Sequence, residues 1–164
     1  MKKITYHIIC FILLIGMSGC SGYKPIFSSA DFKFKIADYS IEGDKKLGNK
    51  IYSKLFNLSK SSSSQESSKN IYLAIKVLKE KSPTSKDSTG KVLEYKINLN
   101  TKITVKDYVT NNSILDQNFL ASTSYKVNEQ FSETIKLENK SIEDLLNQTY
   151  QELLIKLSES ISSK

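Results

Sequence analysis

No arginine occurs in the 164-residue chain, so all 24 of its basic side chains are lysines. That removes the planar guanidinium, the group best suited to bidentate phosphate or carboxylate recognition, and leaves ammonium point charges. Together with the abundance of Ile, Asn, Ser and Lys, it points to an AT-rich genome more than to a functional choice. Histidine occurs once, as His7, and cysteine twice, as Cys10 and Cys20. Residues 21–164 therefore hold neither imidazole nor thiol. That stretch excludes zinc sites of the usual ligand sets, Ser-His-Asp triads, cysteine nucleophiles and any disulfide. It also lacks a nucleotide-binding glycine motif and an internal repeat. Carboxylates, lysines, hydroxyls and tyrosines are what remain for chemistry. No Ser-Lys pair stands out, and Glu143-Asp144 has the context of a helix cap. The expectation is a protein that is not an enzyme and uses no cofactor or metal.

What is present begins with a leader pattern. Met1-Lys2-Lys3 is positive, and Ile4 to Ile15 is an almost uncharged apolar run. That run falls short of the roughly 20 apolar residues that span a bilayer, so it reads as a removable secretion signal. Ser18-Gly19-Cys20 has the form of a lipobox, in which Cys20 takes a diacylglyceryl group; Met17 departs from the more usual Leu. A plain secretion signal cut elsewhere is the alternative. This divides the chain into a lipoprotein signal peptide (1–19), a lipid-anchored tether (20–30) and one domain (31–164). Removing 19 residues from 164 leaves 145, enough for one core, and takes two lysines from a formal charge of +7, leaving about +5. Ser21, rather than Asp, follows Cys20; among lipoproteins of double-membraned bacteria that implies the outer membrane, periplasmic face. A basic protein often meets nucleic acid, but an anchored periplasmic domain would not, so no nucleic-acid partner is expected.

Along the domain, Asp31 to Ile41 alternates, with Phe32, Phe34 and Ile36 on one face, as in a half-buried strand. Gly43-Asp44 ends it, and Asp44 is placed to cap a helix starting at Lys45, with Leu47, Ile51, Leu55 and Leu58 as its apolar stripe beside Phe56. Ser59 to Lys69 is a serine-rich connector. Asn70 to Lys79 reads as a strand, with Ile71, Leu73, Ile75 and Val77 facing inward. Glu80 to Lys91 reads as an exposed polar loop. From Leu93 to Lys106 the alternation is clearest: Leu93, Tyr95, Ile97, Leu99, Thr101, Ile103 and Val105 fall on one side, the buried one. Thr110-Asn111-Asn112-Ser113 is a hairpin signal before a last strand from Ile114 to Val127. Ser141-Ile142-Glu143-Asp144 looks like a helix cap, and Ser132 to Asn139 is either a separate turn or the same helix begun early. Ile142, Leu145, Leu146, Leu153, Leu157 and Ile161 then form a stripe. The order strand-helix-strand-strand-strand-helix fits an α+β two-layer sandwich, two helices on one face of a four-stranded mixed or antiparallel sheet.

By strand parity the uncovered sheet face carries Lys76, Lys96, Lys102, Lys106 and Lys126, among Asn98, Asn100, Ser122 and Ser124, with Glu94 as its main acid. Such a polar face either meets phosphates or is simply a solvated face of a lysine-rich chain.

Cys20 followed by Gly22-Tyr23-Lys24-Pro25-Ile26-Phe27 resembles the start of LptE, the lipopolysaccharide-assembly lipoprotein family. The element order and Lys86-Asp87-Ser88-Thr89-Gly90 extend the likeness along the chain. The resemblance implies an outer-membrane lipoprotein, held to the membrane by its N-terminal lipid. It would plug an LptD-like outer-membrane β-barrel and assist insertion of lipopolysaccharide, which it binds through basic residues. Lys86, Lys91, Lys96 and Lys102 are the candidates for that contact by charge and parity, and Cys20 for lipidation. The other reading is a stand-alone envelope lipoprotein that binds a periplasmic ligand without a barrel.

Overall fold

A computed structural model describes residues 34–61 and 68–162. The leader, Cys20, the tether, Phe32 and residues 62–67 of the serine connector lie outside the described residues. Six elements follow one another: β1 (Phe34–Gly43), α1 (Lys45–Ser61), β2 (Lys69–Lys86), β3 (Val92–Asp107), β4 (Ser113–Lys126) and α2 (Phe131–Ser162). The strands form one sheet in the order β1-β2-β3-β4. β1 and β2 are parallel, and the other two pairs are antiparallel. A parallel pair needs a crossover, and α1 supplies it. The fold is the expected α+β two-layer arrangement, with a mixed sheet.

Local chemistry sets the boundaries. Gly43 adopts φ 74°, and an added Cβ would lie 2.1 Å from the Val77 carbonyl oxygen. The chain turns there directly into α1. The Asp44 amide donates to that same carbonyl at 2.8 Å, and Asp44 Oδ1 accepts from the Leu47 amide at 3.1 Å as an N-cap. Leu47, Ile51 and Leu55 then bury their side chains as the periodicity implied. The helix also takes in Ser59, Lys60 and Ser61, so the connector begins later than its composition suggested.

Two further boundaries depart from the sequence reading. The stretch from Glu80 to Lys86 is not loop: β2 continues through it, paired to β3 from Glu80↔Asn98 to Lys86↔Val92. Both faces of that extension are largely wet, so it has no apolar period to read. Pro83 sits beside a register irregularity, at a level where β1 has ended and β2 has one neighbour, which is where a strand tolerates proline. The true turn is Asp87 to Lys91. Asp87 Oδ1 accepts from the Thr89 amide (2.9 Å), the Thr89 hydroxyl (2.7 Å) and the Lys91 amide (2.9 Å), and Gly90 supplies φ 87°.

The C-terminal helix starts at Phe131, and Ser141 lies in its interior instead of capping it. Tertiary contacts recruit the first turns. Buried Thr134 accepts the Asn128 amide through Oγ1 at 2.9 Å, and Glu138 bonds to Lys81 and Tyr125. At about 1.5 Å per residue the 32-residue helix is long enough to cross a bilayer, but among the described residues no helix is both long and apolar enough. Its apolar side, Ile142, Leu145, Leu146, Leu153, Leu154 and Leu157, closes the core with the inward side chains of all four strands.

Candidate ligand-binding faces

Because both helices cover one face of the sheet, the other face is open, and the register fixes what it displays. One row reads Glu42, Lys76, Lys102, Asn118 across the four strands; the next reads Ser40, Ala74, Thr104, Asp116. Lys76 Nζ lies 3.4 Å from Glu42 Oε2, and Lys102 Nζ lies 3.4 Å from Asp116 Oδ1. The two central lysines are thus already neighbours of acids. Glu94, expected as the main acid of this face, makes no ion pair among the described residues.

The face is not purely polar either. Leu78 (47% exposed) and Leu120 (70% exposed) flank Asn100 in the adjoining row. Leu78 and Asn100, together with Lys76, Lys102, Asp116, Gln117 and Asn118, border a shallow groove of about 520 Å³. A smaller one of about 170 Å³ lies over Ser40, Ala74 and Thr104, where the side chains are short. An apolar row beside two ammonium groups can receive a ligand that is itself part apolar and part anionic.

The four lysines singled out from sequence do not form one cluster. Lys86 and Lys91 flank the turn at the tip of the β2–β3 hairpin, joined through the Asp87 amide and the Lys91 carbonyl at 2.9 Å. Lys96 lies between Ser82 and Ser124, and Lys102 lies six residues further along β3, about 20 Å away. What the structure brings together is Lys102 with Lys76, and Lys86 with Lys91.

Two constellations were missed. On the covered face at the end of the sheet, Lys81 Nζ bonds Glu138 Oε2 at 2.6 Å, and the Tyr125 hydroxyl donates to the same oxygen at 2.8 Å. The ammonium also stands 4.3 Å from the Tyr95 ring centroid and 5.4 Å from that of Tyr125, whose rings stack at 5.9 Å. Partial burial would lower the Lys81 pKa, but the hydrogen bonds and charges of Glu138 and Tyr125 outweigh it and hold it above the usual lysine value. Burial likewise opposes ionisation of Glu138, yet Lys81 and Tyr125 keep it below the usual glutamate value. No sequence period marks this group, since it joins residues 81, 95, 125 and 138 from four elements.

The second lies between the helices. Lys46, Lys50 and Lys54 of α1, with Asn49 and Ser53, line a groove of about 300 Å³ whose other wall carries Glu143 and Asn147 of α2. Lys54 Nζ bonds Asn147 Oδ1. The four-residue spacing of these lysines was visible in sequence.

The architecture, two helices on one face of a four-stranded α+β sheet, is shared with several solved structures. Rare lipoprotein B from Shewanella oneidensis matches 77% of this chain and 97% of its own, at 14% identity and TM-score 0.55. Lipoprotein B from Nitrosomonas europaea matches 87% and 94%, at 16% identity and TM-score 0.60. A protein from Caulobacter crescentus matches 82% and 93%, at 7% identity and TM-score 0.54. At such identities the likeness establishes the shared fold. No family model and no curated protein matches the sequence.

Proposed function

We propose that this protein is a non-enzymatic outer-membrane lipoprotein, anchored through Cys20, that plugs an LptD-like β-barrel and assists the insertion of lipopolysaccharide. The observation that carries the reading is a fold shared with lipoproteins over nearly their whole length, joined to the lipobox and the Gly22-Tyr23-Lys24-Pro25-Ile26-Phe27 signature. The open sheet face supports it: a mostly polar, water-compatible surface suits a wet barrel lumen. The groove at Lys76, Lys102 and Leu78, with exposed Leu120 in the same row as Leu78, offers charge and apolar surface to a phosphorylated, acylated glycolipid. Lipopolysaccharide contact is therefore assigned first to Lys102 with Lys76, and second to Lys96, Lys86 and Lys91 nearer the hairpin tip.

The test is a mild-detergent pull-down from outer membranes with a C-terminally tagged protein. A stoichiometric large β-barrel whose folding depends on this lipoprotein is the expected result. Recovery of the lipoprotein alone, with normal surface lipopolysaccharide after depletion, would overturn the reading in favour of a stand-alone ligand-binding lipoprotein.

A further inference from the structure

α1 differs in charge from the rest of the molecule. It carries lysines at positions 45, 46, 50, 54 and 60 and no acidic residue. The ion pairs among the described residues all lie elsewhere: on the sheet, between β2 and α2, or along α2. Lys45, Lys46 and Lys50 are exposed, and no carboxylate among the described residues stands in ion-pair range of them. Lys76 and Lys102, by contrast, each face an acid.

Lys46, Lys50 and Lys54 recur every fourth residue, so their Cα positions span about 12 Å along one flank of the helix. That flank is one wall of the α1–α2 groove. The Asn49 amide and Ser53 hydroxyl add donors, Ile51 and Leu146 line its base, and Glu143 is the one acid facing it. Ammonium, amide and hydroxyl groups in a shallow trough match a phosphodiester, and an extended cationic flank matches a surface that presents many of them.

We propose that, before the domain seats in a barrel, the lysine flank of α1 docks it on the anionic phospholipid bilayer to which the chain is anchored, with headgroup phosphates lodged along the α1–α2 groove. This goes beyond the barrel reading: it concerns the lipid leaflet and the helix layer, on the opposite side of the sheet from the groove assigned to lipopolysaccharide. Each lysine held near an anionic bilayer strengthens association about fivefold, and the effect fades over about 10 Å at moderate salt.

The experiment uses the whole protein purified from membranes and reconstituted in vesicles, with a donor dye on Asn57→Cys, an exposed α1 position, and acceptor dyes on lipid headgroups. Protein without the Asn57 replacement sets the background. Energy transfer should be about twofold higher on vesicles containing phosphatidylglycerol than on phosphatidylcholine alone, and the gain should vanish at 1 M salt. The gain should be lost in Lys46→Glu/Lys50→Glu, kept in Lys76→Glu/Lys102→Glu, and increased by Glu143→Gln, an improvement that misfolding cannot mimic. Equal transfer on neutral and anionic vesicles would overturn the proposal. So would equal loss in the sheet variant, or displacement by millimolar glycerol phosphate or polyglutamate, which would assign the groove to a soluble phosphate or an acidic polypeptide. Barrel recovery is scored separately with the same Lys46→Glu/Lys50→Glu protein and should be unchanged, so failure of one reading does not decide the other.

Discussion

Gly43 answers two demands at once, a left-handed φ and the absence of a Cβ beside the Val77 carbonyl. Replacing it with Ala should cost about 2–4 kcal/mol, from backbone strain together with displacement of the Val77–Asp44 hydrogen bond. The urea midpoint reports it, and an unchanged midpoint would refute the account. Thr101 poses the opposite case. It is fully buried among Val77, Phe119 and the rest of the core face, and its Oγ1 has no hydrogen-bond partner among the described residues. Thr101→Val keeps the shape and removes a stranded hydroxyl, so it should stabilise by about 1 kcal/mol, read as a raised melting temperature. The inward position of Thr101 was legible, because alternation forces it; its unmet hydroxyl was not, because that depends on what neighbouring strands fail to offer. Gly43 was legible as a strand end, but the Val77 oxygen above it was not, since that contact exists only once β1 and β2 lie parallel.

Among elements, the β2 extension and the first turns of α2 depend on each other. The sequence pattern reads the first as a loop and leaves the start of the second open between a separate turn and an early helix, and one ion pair joins them: Lys81 with Glu138. Neither segment has a strong apolar period, so pattern reading had nothing to hold there, whereas β3 and the stripe of α1 were plain. Because Glu138 has a lower pKa folded than its ordinary value of 4.5, the fold binds fewer protons than the unfolded chain around that pH. Its contribution is fully present above pH 4.5 and is lost as pH falls through the lower folded value. Glu138→Gln should therefore lose stability less steeply between about pH 5 and pH 3, while remaining about 1 kcal/mol less stable at pH 7. Asp87 and Asp107 are also held low, Asp87 first by the Thr89 hydroxyl and Asp107 first by the Thr110 amide, so part of the slope should persist. A slope identical to that of the parent protein would exclude the Lys81–Glu138 link as its source.

At the scale of the whole molecule, one sheet separates two surfaces of different character. The helix layer presents Lys45, Lys46 and Lys50 of α1 with no carboxylate in ion-pair range among the described residues; the open sheet face presents Lys76 and Lys102 already next to acids, with Leu78 and Leu120 in the adjoining row. Strand parity located the second surface correctly. It did not weigh it, because cross-strand neighbours such as Glu42 and Asp116 are set by register, which no single strand reveals. Replacing both exposed leucines with Ser should change stability by less than about 0.5 kcal/mol, while reducing retention of lipopolysaccharide in a pull-down. A large fall in the urea midpoint would show that they serve the core instead.

The parallel pairing of β1 sets the order in which the sheet can assemble. Lys86 and Val92 meet across a six-residue separation, whereas Phe34 must find Lys69, 35 residues away, after α1 has formed. Closing the longer loop costs more chain entropy, so the β2-β3-β4 meander is the natural nucleus and β1 the last strand to join. Read in reverse, β1 is the first strand to leave. Its amides should exchange with deuterium sooner than those of β3, and the strand nearest the N-terminal segment should detach while the meander stays intact.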